Sequence, residues 1–246
     1  MNNYRLKIQY DGTRYRGWQR QKNGFDTIQG RIEQVLSRQM RHPVEIDGAG
    51  RTDAGVHARE QVANVRLDYR GTTEELRDCL NEYLPEDIRI LEVEIAGERF
   101  HSRLNATGKV YEYRLCKKGC FDVCARKYQW QMEDVLDVAC MKEAAGLLLG
   151  EHDFKGFCTK ASRKKSTIRR IDAIDIHETD NAVTLRFSGN GFLYNMVRIL
   201  TGTLVEIGVG SREISTVEEI LREKKRTLAG VTAPAQGLTL VQVKYD

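Results

Sequence analysis

The first part of the chain alternates between the apolar spacing of strands and that of helices. Apolar residues recur at every second position from Tyr4 to Tyr10, which is typical of a half-buried strand. Behind Thr27, a residue type that caps helices, apolar residues recur at helical spacing. Thr72 and Glu75 have the spacing of a capping box and predict a second helix. With further strands predicted at residues 44–47, 61–67 and 88–95, the order is β-α-β-β-α-β.

The second part of the chain repeats this order without a repeat of the residues themselves. The predicted strands cover residues 110–115, 168–177, 183–187 and 238–245, and the predicted helices cover 133–149, 192–207 and 216–222. The pattern is that of a ferredoxin-like fold occurring twice, with one extra helix. We therefore expect an α+β protein of two ferredoxin-like halves, residues 1–103 and 104–246, with mainly antiparallel sheets. A site is expected in a cleft between the halves, since domain junctions are common places for sites.

Composition places the chain among soluble globular proteins. Hydrophobic residues make up 41% and charged residues 30% of its 246 residues. The first residues have no apolar segment of the kind found in secretory signals, and no run is long enough to span a membrane. We expect a cytoplasmic protein without membrane contact.

The charge is mildly basic and is concentrated in two clusters. The chain has 39 basic and 35 acidic residues, a net charge of +4. One cluster is RYRGWQRQK at residues 14–22, and the other is KASRKKSTIRR at residues 160–170. The first mixes cations with aromatic rings, as phosphate contact and base stacking require. Taken alone, each cluster is also compatible with a solvated basic loop.

Sequence motifs give little support to a metal or nucleotide cofactor. Cys116, Cys120 and Cys124 recur every four residues, but they form no C-x-x-C pair and have no histidine beside them. Reduced, partly buried thiols are the favoured interpretation. Gly48 and Gly50 lack the third glycine of a dinucleotide-binding motif. The sequence also contains no Walker A loop, H-E-x-x-H motif or G-x-S-x-G motif.

The segment GAGRTDAGVHA at residues 48–58 places a carboxylate among small residues. Asp53 could bond its own backbone in a turn, or it could act as a nucleophile or general base. A nucleophilic carboxylate must stay ionised, and Arg51 two residues away would favour that form. Arg198 is a second candidate partner, because its helix is otherwise apolar; it could equally lie on a polar face.

Six blocks of this sequence together resemble the TruA family of tRNA pseudouridine synthases. GRTDAGVHA at residues 50–58 resembles the family signature. The other blocks occur in the order of the family and are YDGTRYRGWQRQ (10–21), RFHSRLNATGKVYEY (99–113), GEHDFKGF (150–157), GFLYNMVRILTG (191–202) and RTLAGVTAPAQGL (226–238). The resemblance therefore covers nearly the whole chain.

The resemblance implies isomerisation of uridine to pseudouridine at positions 38 to 40 of the tRNA anticodon stem-loop, without cofactor or metal. Asp53 matches the catalytic carboxylate, and Arg51 the arginine that holds the flipped-out nucleotide. Tyr111 matches the tyrosine that stacks on the target base, although a tyrosine on a strand could also be a core residue. Arg198 matches the arginine that pairs with the carboxylate. Leu238 matches the apolar residue that packs on the uracil.

RNA binding would also account for the basic clusters. The candidate phosphate contacts are Arg14, Arg16, Arg20, Lys22, Lys164, Lys165, Arg169 and Arg170. The resemblance further implies a homodimer with tRNA crossing both subunits. Residues 104–246 would then complete the catalytic cleft and supply the dimer interface.

Three alternatives remain open at the level of sequence. A non-catalytic RNA-binding protein would share the fold and the basic clusters, but it would not need Asp53 together with its arginines and tyrosine. A synthase with a different RNA target would share the whole site. A hydrolase acting on a glycoside or nucleoside would need a second catalytic carboxylate, for which the sequence offers no obvious candidate.

Overall fold

A computed structural model describes residues 1–21, 26–159 and 166–245. Contacts between Cα atoms divide the chain into two compact units. The first unit comprises Met1–Thr107 together with the segment that begins at Thr239. The second comprises Gly108–Leu238. The chain thus returns to its first unit after completing the second.

The first unit has the predicted element order. It consists of β1 (Asn2–Tyr10), α1 (Ile28–Met40), β2 (Asp47–Gly48), β3 (His57–Leu67), α2 (Thr73–Tyr83) and β4 (Ile88–Ala96). The Thr27 side chain caps α1 by accepting a hydrogen bond from the Gly30 N–H. Thr72 and Glu75 form the expected capping box at α2. Both predicted helix starts are confirmed. Each cap is formed by residues only three positions apart along the chain, so it depends little on the rest of the fold.

The sheet of the first unit is antiparallel apart from one strand. β1 lies between β3 and β4 and runs antiparallel to both. A final strand, β10 (Leu238–Lys244), lies parallel to β3, with Thr239 opposite His57 and Leu240 opposite Ala58. The apolar pattern predicted this strand and counted it with residues 104–246. In the sheet it pairs with β3, through the last two residues of the segment at residues 48–58.

The strands of the second unit also pair mainly in antiparallel fashion. Its strands are β5 (Gly108–Cys116), β6 (Trp130–Gln131), β7 (Gly150–Asp153), β8 (Ile168–Glu178) and β9 (Ala182–Gly189). β9 lies between β5 and β8, β7 pairs with β8, and the short β6 runs parallel to β5. The helices are α3 (Val138–Gly146), α4 (Met196–Gly208) and α5 (Thr216–Glu223). The predicted α+β class with mainly antiparallel sheets is confirmed.

Two helices begin later than the apolar pattern predicted, each for a local reason. The helix predicted from residue 133 begins at Val138, because the Asp137 side chain accepts the Cys140 N–H and caps it. The helix predicted from residue 192 begins at Met196, because Asn195 adopts a left-handed conformation with φ of 60°. This second correction places Asn195 at the start of α4, one turn before Arg198.

α4 forms the centre of the second unit and holds the loop that follows α5, at residues 224–237. Its side chains are buried on almost every side. Gly202 faces the backbone of this loop so closely that a Cβ there would lie 1.9 Å from the Val231 carbonyl oxygen. The loop therefore packs directly on the helix backbone.

Among the described residues, every helix is too short or too polar to cross a lipid bilayer.

Candidate functional site

The glycine-rich segment links β2 to β3 and includes the first residues of β3. Arg51 is exposed and Asp53 is half-buried. Hydrogen bonds hold the backbone on both sides of Asp53, from the Trp18 N–H to the Thr52 carbonyl (3.0 Å) and from the Gly55 N–H to the Tyr15 carbonyl (3.4 Å). The short side chains of this segment thus allow the backbone on either side of Asp53 to form hydrogen bonds with the backbone of Tyr15 and Trp18.

Two glycines allow this close approach. A Cβ at Gly12 would lie 2.0 Å from the Val56 carbonyl oxygen, and a Cβ at Gly17 would lie 2.7 Å from the Thr52 carbonyl oxygen. Gly17 also has φ of +92°, which other residues rarely adopt. The turn at residues 12–18, which includes part of the first basic cluster, therefore packs backbone to backbone against the segment that carries Asp53.

Buried polar side chains support the same segment from the sheet. The Tyr10 hydroxyl lies 2.8 Å from Thr52 Oγ1, and Gln61 Nε2 donates to the Gly50 carbonyl at 3.0 Å. All three side chains belong to buried residues. Burial raises the pKa of Tyr10, against smaller opposing effects from its hydrogen bonds with Thr52 and Gln61. Gly50 and Thr52, the residues on either side of Arg51, are thus each held by a hydrogen bond with a buried side chain of the sheet.

His57 and Asp11 add a further contact that the sequence did not predict. Nδ1 of buried His57 lies 3.1 Å from the Gly12 nitrogen, which donates to it, and 3.1 Å from an Asp11 carboxylate oxygen. One nitrogen cannot accept from Gly12 and donate to Asp11 in the same protonation state. In the neutral form that accepts from Gly12, His57 ties the turn to the start of β3.

In the second unit, Arg198 is held by main-chain atoms and by Asn195. Arg198 Nε donates to the Ala233 carbonyl at 2.7 Å, and Nη1 lies 3.3 Å from Asn195 Oδ1. Asn195 Nδ2 in turn donates to Thr159 Oγ1 at 3.0 Å. Arg198 is half-buried. Its guanidinium is therefore fixed at the loop after α5 rather than spread over a solvated helix face.

Tyr111 and Leu238 are buried in the same unit. Tyr111 lies on β5 and meets the Phe192 ring edge to face, with centroids 5.3 Å apart. Leu238 is 5% exposed and follows a 3-10 turn at Ala235–Gly237. This turn packs on Tyr113, whose hydroxyl donates to the Pro234 carbonyl at 2.7 Å. The loop that holds Arg198 thus continues directly into Leu238.

Several of the predicted phosphate contacts already have partners within the protein. Arg14 pairs with Asp87 at 2.6 Å, Arg20 with Glu33 and Glu45, and Arg170 with Asp172 at 2.7 Å. Arg16 is exposed. Arg169 donates to the Ser166 and Ile168 carbonyls, and its burial lowers the pKa of its guanidinium. The predicted contacts Lys22, Lys164 and Lys165 lie outside the described residues.

No group of three or more histidine, cysteine, aspartate or glutamate side chains is placed to hold a metal ion in the part of the chain that the structure describes. The six cysteines are free thiols, and Cys116 is buried against the Cys120 carbonyl.

Comparisons with known proteins assign the chain to a family. The sequence profile described as tRNA pseudouridine synthase matches residues 7–105 and 144–246. A protein of Bacillus sp. (strain KSM-64), described as tRNA pseudouridine synthase A, is 47% identical over 245 residues and covers 100% of each chain. A protein of Bacillus cereus (strain ZK / E33L), described as tRNA pseudouridine synthase A 2, is 44% identical with the same coverage.

A more distant likeness links the chain to a solved structure. The crystal structure of a Cbf5-Nop10-Gar1 complex is matched with a TM-score of 0.41 and 12% identity, over 97% of this chain and 58% of that chain. A likeness of this size adds nothing to the assignment that the sequence relatives provide.

Proposed function

Because this chain belongs to the tRNA pseudouridine synthase family, we propose that it acts on the anticodon stem-loop of tRNA, at positions 38 to 40. As a member of that family it is an isomerase that converts uridine to pseudouridine in tRNA. The resemblance of six sequence blocks to the TruA family supports the choice of the anticodon arm. The observation that carries the proposal is the presence of Arg51 and Asp53 on one rigidly hydrogen-bonded turn.

Asp53 is the proposed nucleophile. Its carboxylate would form a bond to the target nucleotide, at the base or at the sugar, while the bond between uracil N1 and ribose C1′ breaks. The uracil would then turn so that its C5 bonds to C1′. The C5 proton would leave, N1 would hold a proton, and the bond to Asp53 would break. The product is an isomer of the substrate, so the reaction needs no oxidant or added group.

The neighbouring residues have proposed roles that follow from their chemistry. Arg51 would hold the nucleotide out of its stack, since an exposed guanidinium can contact phosphate and stack on bases. Tyr111 would stack on the uracil and assist removal of the C5 proton, and Leu238 would pack on the same ring. Arg198 would keep Asp53 ionised by pairing with it.

The protein would recognise the shape of the tRNA and would contact its phosphates through the two basic clusters. We also propose a homodimer in which residues 104–246 form the interface, a cytoplasmic location, and a reaction that uses no cofactor. Sedimentation at low concentration tests the dimer, and a stable, active monomer would exclude it.

The first experiment maps pseudouridine in unmodified tRNA transcripts incubated with wild-type enzyme and with Asp53→Asn, without added metal or nucleotide. Product in the anticodon arm is expected with the wild type, and Asp53→Asn should lower the rate by at least about 10⁴-fold while still binding tRNA. Asp47→Asn is the matched control, because Asp47 lies on the neighbouring β2 and is exposed. It should keep wild-type activity.

The outcomes separate the parts of the proposal. Product at uridines outside the anticodon arm would overturn the proposed target but leave the synthase assignment intact. Activity retained in Asp53→Asn would overturn the assignment of the nucleophile.

A further inference from the structure

A line of hydrogen-bonded side chains leads from the interior of the first unit to Arg51. Arg51 Nε donates to Gln19 Oε1 at 2.8 Å. Gln19 Nε2 donates to Gln29 Oε1 at 2.7 Å, and Gln29 Nε2 donates to Glu33 Oε1 at 2.8 Å. Gln29 and Glu33 lie on α1, one turn apart. Three consecutive hydrogen bonds thus connect a buried carboxylate to the exposed arginine beside Asp53.

Glu33 anchors the inner end of this line. It is 3% exposed, and burial raises the pKa of its carboxyl group. Its Oε1 also accepts the Ile46 N–H at 3.0 Å. Its Oε2 lies 3.0 Å from Arg20 Nη1, an ion-pair contact that does not have hydrogen-bond geometry. Both oxygens face donors, so the carboxyl group acts as an acceptor in this network.

This acceptor dictates the orientation of Gln29. The Gln29 nitrogen faces Glu33 Oε1 and the Ile46 carbonyl (3.0 Å), which both accept. The Gln29 oxygen must then point the other way, where it receives Gln19 Nε2 and the Arg20 N–H (3.0 Å). All four hydrogen-bonding positions of this buried amide are used. A flipped amide would place donors against donors and an oxygen against two acceptors.

The orientation of Gln29 is passed on to Gln19. Since the Gln29 oxygen faces outward, the Gln19 nitrogen must face it, and the Gln19 oxygen is then directed at Arg51. An outward oxygen accepts a hydrogen bond and cannot donate one. The line therefore ends in an acceptor, and arginine Nε, which can only donate, is its complement.

We propose that Gln19 is a positioning residue for Arg51, oriented by Gln29 and Glu33. The Gln19 oxygen holds Nε, which fixes the plane of the guanidinium, because Nε and the two Nη groups lie in one plane. The Nη groups are then presented in one direction, without reorganisation when RNA binds. This inference rests on the proposed role of Arg51 in holding the flipped-out nucleotide.

The test is a double-mutant cycle between Gln19 and Arg51. Gln19→Met keeps the length of the side chain and removes the acceptor. Arg51→Lys keeps the charge and removes Nε. Single-turnover rates with saturating enzyme are measured at the uridine that the wild-type enzyme modifies, together with tRNA Kd and Tm. Gln34→Met on the exposed side of α1 is the matched control and should behave as wild type.

The expected result is a rate loss in Gln19→Met of about tenfold, with tRNA Kd changed less than about twofold and Tm nearly unchanged. In the Arg51→Lys background, Gln19→Met should cause no further loss, because it acts through Arg51. Gln29→Met breaks the line one step earlier, so it should also slow the wild-type enzyme and have no rate effect in the Arg51→Lys background.

Two results would overturn the proposal. Equal losses from Gln19→Met in both backgrounds would mean that Gln19 acts on the turn as a whole. A wild-type rate in Arg51→Lys would mean that the guanidinium has no role that needs positioning. Neither result depends on which uridine is modified, so failure of the proposed anticodon target is seen separately, in the mapped position of the product.

Discussion

Arg51 and Arg198 are supported in opposite ways. Arg51 is exposed and its Nε is held by the side-chain amide of Gln19. Arg198 is half-buried and its Nε is held by the main-chain carbonyl of Ala233. A side-chain partner can be removed by one substitution that leaves the backbone in place. A main-chain partner can be moved only by displacing its loop.

Several hydrogen bonds join the loop that holds Arg198 to α4. The Gly230 N–H donates to Thr203 Oγ1 at 3.0 Å, and the Val231 N–H donates to Glu206 Oε1 at 2.8 Å. The Ala233 N–H donates back to the Arg198 carbonyl at 3.1 Å. Stability of the loop and orientation of Arg198 are therefore coupled, whereas the orientation of Arg51 is largely separate from stability.

Among the substitutions that test this comparison, the largest effect is expected where the loop meets the α4 backbone. Gly202→Ala introduces a Cβ 1.9 Å from the Val231 carbonyl oxygen, so helix or loop must shift. The free energy of unfolding should fall by about 3 kcal/mol. The rate should fall about 100-fold, because the Ala233 carbonyl moves with the loop. Urea unfolding and single-turnover kinetics measure the two effects.

Gly97→Ala is the control for this substitution, since a Cβ at Gly97 meets no atom within 4 Å. It should leave the rate unchanged. If Gly202→Ala lost stability but kept the wild-type rate, the coupling between loop position and Arg198 would be wrong.

Asn195 allows the support of Arg198 to be weakened without moving the loop. Asn195→Gly keeps the left-handed backbone and removes the amide that contacts Nη1, so a rate loss of about tenfold is expected. Asn195→Ala should lose in addition about 1 kcal/mol of stability, because alanine disfavours φ of 60°. Comparing the two variants separates the contact from the backbone. Equal stability of the two variants would contradict the assigned role of the backbone conformation.

The smallest effect concerns the arginines proposed to contact phosphates. Arg16→Ala should weaken tRNA binding several-fold and reduce the slope of log K against log salt by about one unit. Arg77→Ala, a substitution at an α2 arginine that pairs with Asp78, is the control and should change neither. Fluorescence titrations at several salt concentrations measure both quantities. An unchanged slope in Arg16→Ala would exclude a phosphate contact at this residue.

Local sequence signals predicted the two helices of the first unit well, because each cap is formed by nearby residues. Thr27 and the pair Thr72 and Glu75 cap helices within a single turn. The start of α4 was predicted too early, since residues 192–194 extend the apolar pattern while the backbone turns at Asn195. Apolar spacing alone cannot show whether such residues belong to the helix or to the turn before it.

The supports of the proposed site could not be predicted from residue types. Gln19, Gln29 and Glu33 have no periodic relation to Arg51, and glutamines in a polar turn usually face solvent. The Ala233 carbonyl that accepts a hydrogen bond from Arg198 Nε could not be predicted either, because every residue carries a carbonyl. The pairing of Arg198 with a carboxylate stays a prediction. The roles of Asp53, Tyr111 and Leu238 came from the family resemblance, and they stay predictions.

The pairing of β10 with β3 has a consequence for the order in which the protein is made. A ribosome synthesises residues 108–238 before it synthesises the strand that lies beside His57 and Ala58. The turn that carries Asp53 is therefore among the first parts to emerge, yet the strand beside it arrives only after the whole second unit. A polypeptide released within the second unit would contain Asp53 but lack that strand, so translation itself sets the moment at which the first unit is completed.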